Sequence, residues 1–103
     1  MENKFQAPNN KFQTKVNMKI SVELTCTPLQ NDYEPPIKAF IKKMRESGLV
    51  VLENPLSTQV YGEYDEVMTL LNKEIKNSLE LVEAGIFLLK IVKTDRSEYK
   101  PSF

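Results

Sequence analysis

The stretch "LVVLENPLSTQVYG", residues 49–62, decides how the chain folds. Residues 49–53, LVVLE, are a run of four aliphatic side chains followed by Glu53. Asn54 and Pro55 interrupt it, and 57–62 resumes as a second extended run. So short a link between two strand-like segments predicts an antiparallel hairpin. The second arm is polar for a small domain: Ser57, Thr58, Gln59 and Tyr61 crowd positions where a core strand carries Val, Ile and Leu. It reads either as a solvated face or as a row of hydrogen-bonding groups kept for a ligand.

A helix is predicted on each side of the hairpin. Before it, Ile37, Phe40, Ile41 and Met44 recur at i, i+3, i+4 and i+7, one apolar stripe. Pro35 and Pro36 fit only the first turn of that helix, Asn31 and Asp32 offer N-caps, and Gly48 suits a left-handed C-terminal stop. After it, Gly62 closes the strand, and Asp65 and Glu66 set negative charge at the positive end of a second helix. Val67, Leu70, Leu71, Ile75 and Val82 form its inward stripe, with Leu79 beside them and Gly85 at the stop. The outermost elements are strands. "MKISVELTC" (18–26) alternates Ile20, Val22, Leu24 and Cys26 against Ser21, Glu23, Thr25 and, one step on, Thr27, until Pro28 ends it. "IFLLKIVKT" (86–94) is the most apolar segment and is expected at the centre of the sheet. The order predicts an α+β, ferredoxin-like βαββαβ domain: a four-stranded antiparallel sheet with two helices on one face.

The chain has 103 residues, enough for one domain and one core. Residues 1–17 are polar, repeat Asn-Lys-Phe-Gln at 3–6 and 10–13, and read as a disordered tail before a domain at 18–103. Fourteen basic residues balance fourteen acidic ones, which gives no electrostatic reason to expect nucleic acid or a membrane as partner. There is no histidine and one cysteine, Cys26. That excludes a histidine base, a Ser-His or Cys-His nucleophile pair, a Cys/His zinc site and an internal disulfide. With no apolar leader or spanning stretch, the expectation is a cytoplasmic protein without metal or cofactor. The loop "TPLQNDYEPP" (27–36) also lacks the arginine and the glycines of a phosphate-binding loop, so no enzymatic activity is expected.

Two helices cover one face of the sheet, which leaves the other open. That face carries Ser21, Glu23, Thr25 and Thr27, with either Ser57, Gln59 and Tyr61 or Thr58 and Val60. The last strand adds either Phe87, Leu89 and Ile91 or Ile86, Leu88 and Val92. Either set is too apolar to face water alone, so a homodimer or homotetramer is expected, with small-molecule pockets where polar groups converge.

The ordered set Ile20-Ser21, Pro28-Leu29, Pro55, Thr58 and Gly62 with Asp65 resembles the thiamine/hydroxymethylpyrimidine-binding, YkoF-like family of small bacterial and archaeal proteins. The resemblance spans about residues 18–95. It implies the same fold, oligomerisation and non-catalytic binding of thiamine or its pyrimidine moiety, in a carrier, salvage or sensing role. Under that resemblance the ligand-binding candidates are Thr58, Glu23, Thr25, Ser57, Tyr61 and Thr27. Hydroxyls of Thr25, Ser57 and Thr58 can give or accept a bond from an aminopyrimidine. Glu23 or the Tyr61 ring would attract a thiazolium cation. The alternative is an interaction or regulatory module of the same fold that assembles through its open face without a ligand.

Overall fold

The computed structural model describes residues 18–103, and the expected tail with its repeat lies outside them. Its elements are β1 (Lys19–Pro28), α1 (Glu34–Arg45), β2 (Val50–Glu53), β3 (Thr58–Glu63), α2 (Tyr64–Glu80) and β4 (Gly85–Lys93). They form one antiparallel sheet in the order β2-β3-β1-β4, with both helices on one face: the ferredoxin-like arrangement. β4 is therefore an edge strand and not the central one. Its apolar side chains are largely exposed, Leu88 at 65% and Ile91 at 47%. Sequence hydrophobicity measures how much a strand gains by burial and carries no information on which neighbour supplies it.

Register settles the faces. Leu24 pairs with Thr58 and with Leu89, and Val22 with Val60 and Ile91, so these side chains point toward the helices. Glu23 pairs with Gln59 and Lys90, Thr25 with Leu88, and Thr27 with Ile86 on the open face. Ile20, Val22, Leu24 and Val60 pack against Phe40, Met44, Val67 and Leu71 to make the core. Each such side chain, fully buried, contributes about 1.5–3 kcal/mol. Phe87 joins them edge-to-face with Phe40, ring centroids 5.0 Å apart.

The helix ends differ from expectation. Neither Asn31 nor Asp32 caps α1, and its N-cap residue, Tyr33, makes no side-chain capping bond. A capping side chain accepts from the second and third N–H groups of a helix, and here those residues are Pro35 and Pro36, which have none. α2 is capped by Glu63, which accepts from the N–H groups of Asp65 (3.0 Å) and Glu66 (3.2 Å). Gly48, at φ +85°, turns the chain from α1 into β2 as expected.

After β4 the chain turns at Thr94, whose φ is +117°, and crosses onto the open face. Ser21 Oγ donates to the Thr94 carbonyl (2.7 Å) and accepts from the Arg96 N–H (2.9 Å). This buries Ser21 and its neighbour Tyr61, and burial, with Asp95 and then Glu23 adding to it, raises the Tyr61 phenol above its ordinary titration range. Among the described residues no helix is long and apolar enough to cross a membrane.

Candidate functional site

β1 and β3 differ in length, and the site lies where they part. β3 pairs with β1 only as far as Leu24–Thr58, whereas β4 follows β1 to Pro28. Tyr64 N–H donates to Met18 O on the β1–β3 register, so the even-numbered residues of β1 turn their backbone groups toward β3. Cys26 is even and lies beyond the last β3 residue. Its N–H and C=O have no partner among the described residues.

The space beside them is a cavity of about 200 Å³. Leu24, Thr25 and Cys26 form its floor, Ile37, Phe40 and Ile41 of α1 its apolar wall, and the 54–58 turn its rim. That turn is braced by Asn54, whose Oδ1 accepts from the N–H groups of Leu56 (2.8 Å) and Ser57 (2.9 Å). The Asn54 amide NH₂ remains available among the described residues. Thr58 is only 7% exposed, and its hydroxyl has no partner among the described residues. Cys26 Sγ lies 4.0 Å from Ser78 Oγ, and burial holds the thiol above its ordinary titration range, so it stays protonated at neutral pH.

A second hollow, about 360 Å³, opens on the other face and is bordered by Glu23, Leu88 and Lys90. Thr25, Leu56 and Ser57 border both spaces, which meet around the free edge of β1. Here the polar groups already serve one another. Ser57 Oγ donates to Glu23 (2.9 Å) and accepts from the Gln59 amide (2.7 Å), while Lys90 stands 3.7 Å from the other Glu23 oxygen.

The six sequence-derived candidates are thus split. Thr25, Ser57 and Thr58 border the cavity, and Glu23 lies across the shared rim. Thr27 sits exposed further along the open face. Tyr61 lies near the far end of β3, paired with Ser21 and Val50. Thr58 faces the helices, on the opposite side of the sheet from Glu23, Gln59 and Tyr61. The contributions of Asn54, Phe40 and the Cys26 backbone were not foreseen. The one sequence signal for them is that β1 runs unbroken to Pro28 while Pro55 delays the start of β3.

No family model matches the chain, and no curated protein matches its sequence. Solved structures do resemble it. A Thermotoga maritima protein provisionally assigned to thiamine biosynthesis or salvage is 22% identical, with a TM-score of 0.68 over 74% of this chain and 84% of its own. A Streptococcus pneumoniae protein is 23% identical, with a TM-score of 0.72 over 79% and 92%. A domain of unknown function DUF77 from Bacillus cereus is 18% identical, with a TM-score of 0.64 over 84% and 80%. The likeness to these three establishes a shared fold.

Proposed function

We propose that the protein binds thiamine or its hydroxymethylpyrimidine moiety without chemically changing it, as a carrier, salvage or sensing component. The observation that carries this reading is the meeting of unsatisfied groups at one small cavity. The Cys26 N–H and C=O present a donor beside an acceptor, and the Thr58 hydroxyl stands buried and unpaired among the described residues. An aminopyrimidine presents the complementary pair, a ring nitrogen that accepts beside an amino group that donates. Phe40, Ile37 and Ile41 supply an apolar wall for the ring face. At about 200 Å³ the cavity is below the range of drug-sized sites, about 300–1,000 Å³, and suits one substituted ring. A thiazolium attached to that ring would extend over Thr25 and Ser57 toward Glu23. The Thermotoga maritima neighbour's provisional assignment to thiamine metabolism supports the same ligand class. With no histidine in the chain and a protonated thiol in the cavity wall, neither an imidazole nor a thiolate stands ready at the site, which favours recognition.

Thermal unfolding with hydroxymethylpyrimidine, thiamine or thiamine phosphate in millimolar excess tests the reading. A ligand at one hundred times its dissociation constant adds about 2.7 kcal/mol. In a domain of this size that raises Tm by roughly ten degrees or more. A shift with hydroxymethylpyrimidine or thiamine is the expected result. No shift with any of the three, in folded protein, refutes the reading and leaves the assembly module.

A further inference from the structure

We propose that residues 11–16, KFQTKV, dock on their own domain, in the hollow between the turn from α1 into β2 and the first turns of α2. That hollow measures about 610 Å³. Gly48 and Leu49 form one side of it, and Asp65, Glu66, Thr69 and Leu70 of α2 form the other. Its floor is apolar. Leu49 and Leu70 are half-buried and pack against the core from outside, so each keeps an uncovered aliphatic flank. Gly48 adds no side chain to close the space, and a Cβ there would meet nothing within 4 Å. The rim is acidic. Asp65 and Glu66 are both exposed, no basic residue lines the hollow, and neither carboxylate has an ion-pair partner among the described residues.

Position and reach bring this segment to the hollow. The described residues begin at Met18, whose carbonyl accepts from the N–H of Tyr64, the first residue of α2 (2.8 Å). The residues just before Met18 therefore join the domain beside Asp65 and Glu66. Phe12 stands six residues before Met18, and an extended chain of that length spans about 20 Å. Leu70 stands six residues into α2 from Tyr64, about 9 Å along the helix axis.

Charge and pattern select the same segment. Residues 1–17 contain three lysines and one acidic residue, whereas 18–103 contain eleven basic and thirteen acidic ones. Within 11–16 the lysines are odd-numbered, Lys11 and Lys15, and the apolar Phe12 and Val16 are even-numbered. Laid extended in the hollow, the segment sets Phe12 and Val16 on Leu49 and Leu70, while the long lysine side chains reach Asp65 and Glu66 at the rim. The first copy of the Asn-Lys-Phe-Gln repeat lacks this pattern, since Phe5 is followed by Ala7 and Pro8 with no second lysine. Docking here does not depend on the ligand, whose cavity lies at the other end of β1, around Cys26.

The test places one cysteine in the segment and one on the exposed rim, Gln13→Cys with Thr69→Cys, in the full chain carrying Cys26→Ala. Both positions leave Phe12 and the two lysines in place. Mild oxidation of dilute protein should give a disulfide within one chain, and adding Phe12→Ala should slow its formation severalfold. Charge reversal gives an independent measurement. Lys11→Glu with Lys15→Glu should lower Tm. Asp65→Lys with Glu66→Lys also opposes the α2 dipole, so the informative quantity is the coupling between the two pairs. The fourfold variant should unfold at a higher temperature than the sum of the separate losses predicts. Oxidation that Phe12→Ala leaves equally fast, a disulfide that forms only between chains and so seats the segment on a second copy, or charge reversals that simply add would each overturn the proposal.

Discussion

Replacing Thr58 by valine separates the two roles that the residue plays, because stability and binding should change in opposite directions. The substitution exchanges Oγ for a methyl group of nearly the same shape. Thr58 is 93% buried and its hydroxyl has no partner among the described residues, so within them it is an unsatisfied polar group. Leaving such a group buried costs about 1–3 kcal/mol. Valine removes that cost, and taking the lower half of the range, about 1–2 kcal/mol, the variant should unfold roughly 4–16 degrees higher. Binding moves the other way. If the hydroxyl pairs with a ring nitrogen in the complex, its loss weakens affinity by about 1–3 kcal/mol, or roughly 5- to 150-fold. Differential scanning calorimetry of the apo protein and isothermal titration with hydroxymethylpyrimidine measure the two quantities. A Thr58→Val protein less stable than the parent would mean that the hydroxyl is satisfied in the free protein. Unchanged affinity would remove Thr58 from the site.

Other residues give sharper local tests. Glu23→Gln should weaken thiamine more than neutral hydroxymethylpyrimidine, and equal losses in titration would rule out a charge role for Glu23. Ser21→Ala deletes both side-chain bonds to the C-terminal segment, each worth about 1 kcal/mol, so the Arg96 amide should exchange faster with deuterium while the core amides keep their protection. Glu63→Ala removes the α2 cap and should cost about 1 kcal/mol, seen as a Tm lowered by roughly 4–8 degrees. Burial raises the Cys26 thiol above its ordinary value of 9.0, so its iodoacetamide reaction should gain speed with pH later than that of free cysteine. The linkage sign follows: the stability associated with this group is complete below the unfolded value and is lost as pH rises through the folded one. A Cys26 that alkylates at neutral pH as fast as a free thiol would contradict its burial.

The fold was legible because its signals are local and mutually consistent. Alternation through Ile20, Val22 and Leu24, two helical stripes and one Asn-Pro turn leave few ways to connect the elements. What escaped was relational. β3 was read with two possible faces because a shift of one residue reverses every side chain, and only pairing with β1 fixes which set meets the helices. β4 was expected at the centre because its hydrophobicity signals burial, whether that burial comes from its own domain or from another copy. The expected caps at Asn31 and Asp32 failed because the helix begins only at Glu34, which puts Pro35 and Pro36 at the second and third positions and leaves no N–H there to be capped. Among the site candidates, Thr58 stood out because the family resemblance falls on it as well as the chemistry of its hydroxyl, while its face was left open. The register puts Ser57, Gln59 and Tyr61 on the open face and sets Thr58 against the helix-side cavity.

The unequal lengths of the three strands around β1 account for the cavity. β1 has ten residues, β4 on one side has nine, and β3 on the other has six. On the long side β4 stays in register with β1 from Ile20 to Pro28, so that side is closed. On the short side the sheet stops at Thr58, and the Cys26 groups that a longer β3 would have satisfied are left facing the 54–58 turn. Extending β3 by two residues at its start would fill the gap and improve the hydrogen bonding of the free protein, and it would also abolish the cavity. Unpaired buried backbone groups cost stability in the absence of a partner. The Cys26 groups stand beside Thr58 and Asn54, under an apolar wall, where a flat ring with its own donor and acceptor would meet them. The free energy of binding would then come largely from polar groups left unsatisfied in the fold and only secondarily from the small apolar area that a single ring can bury.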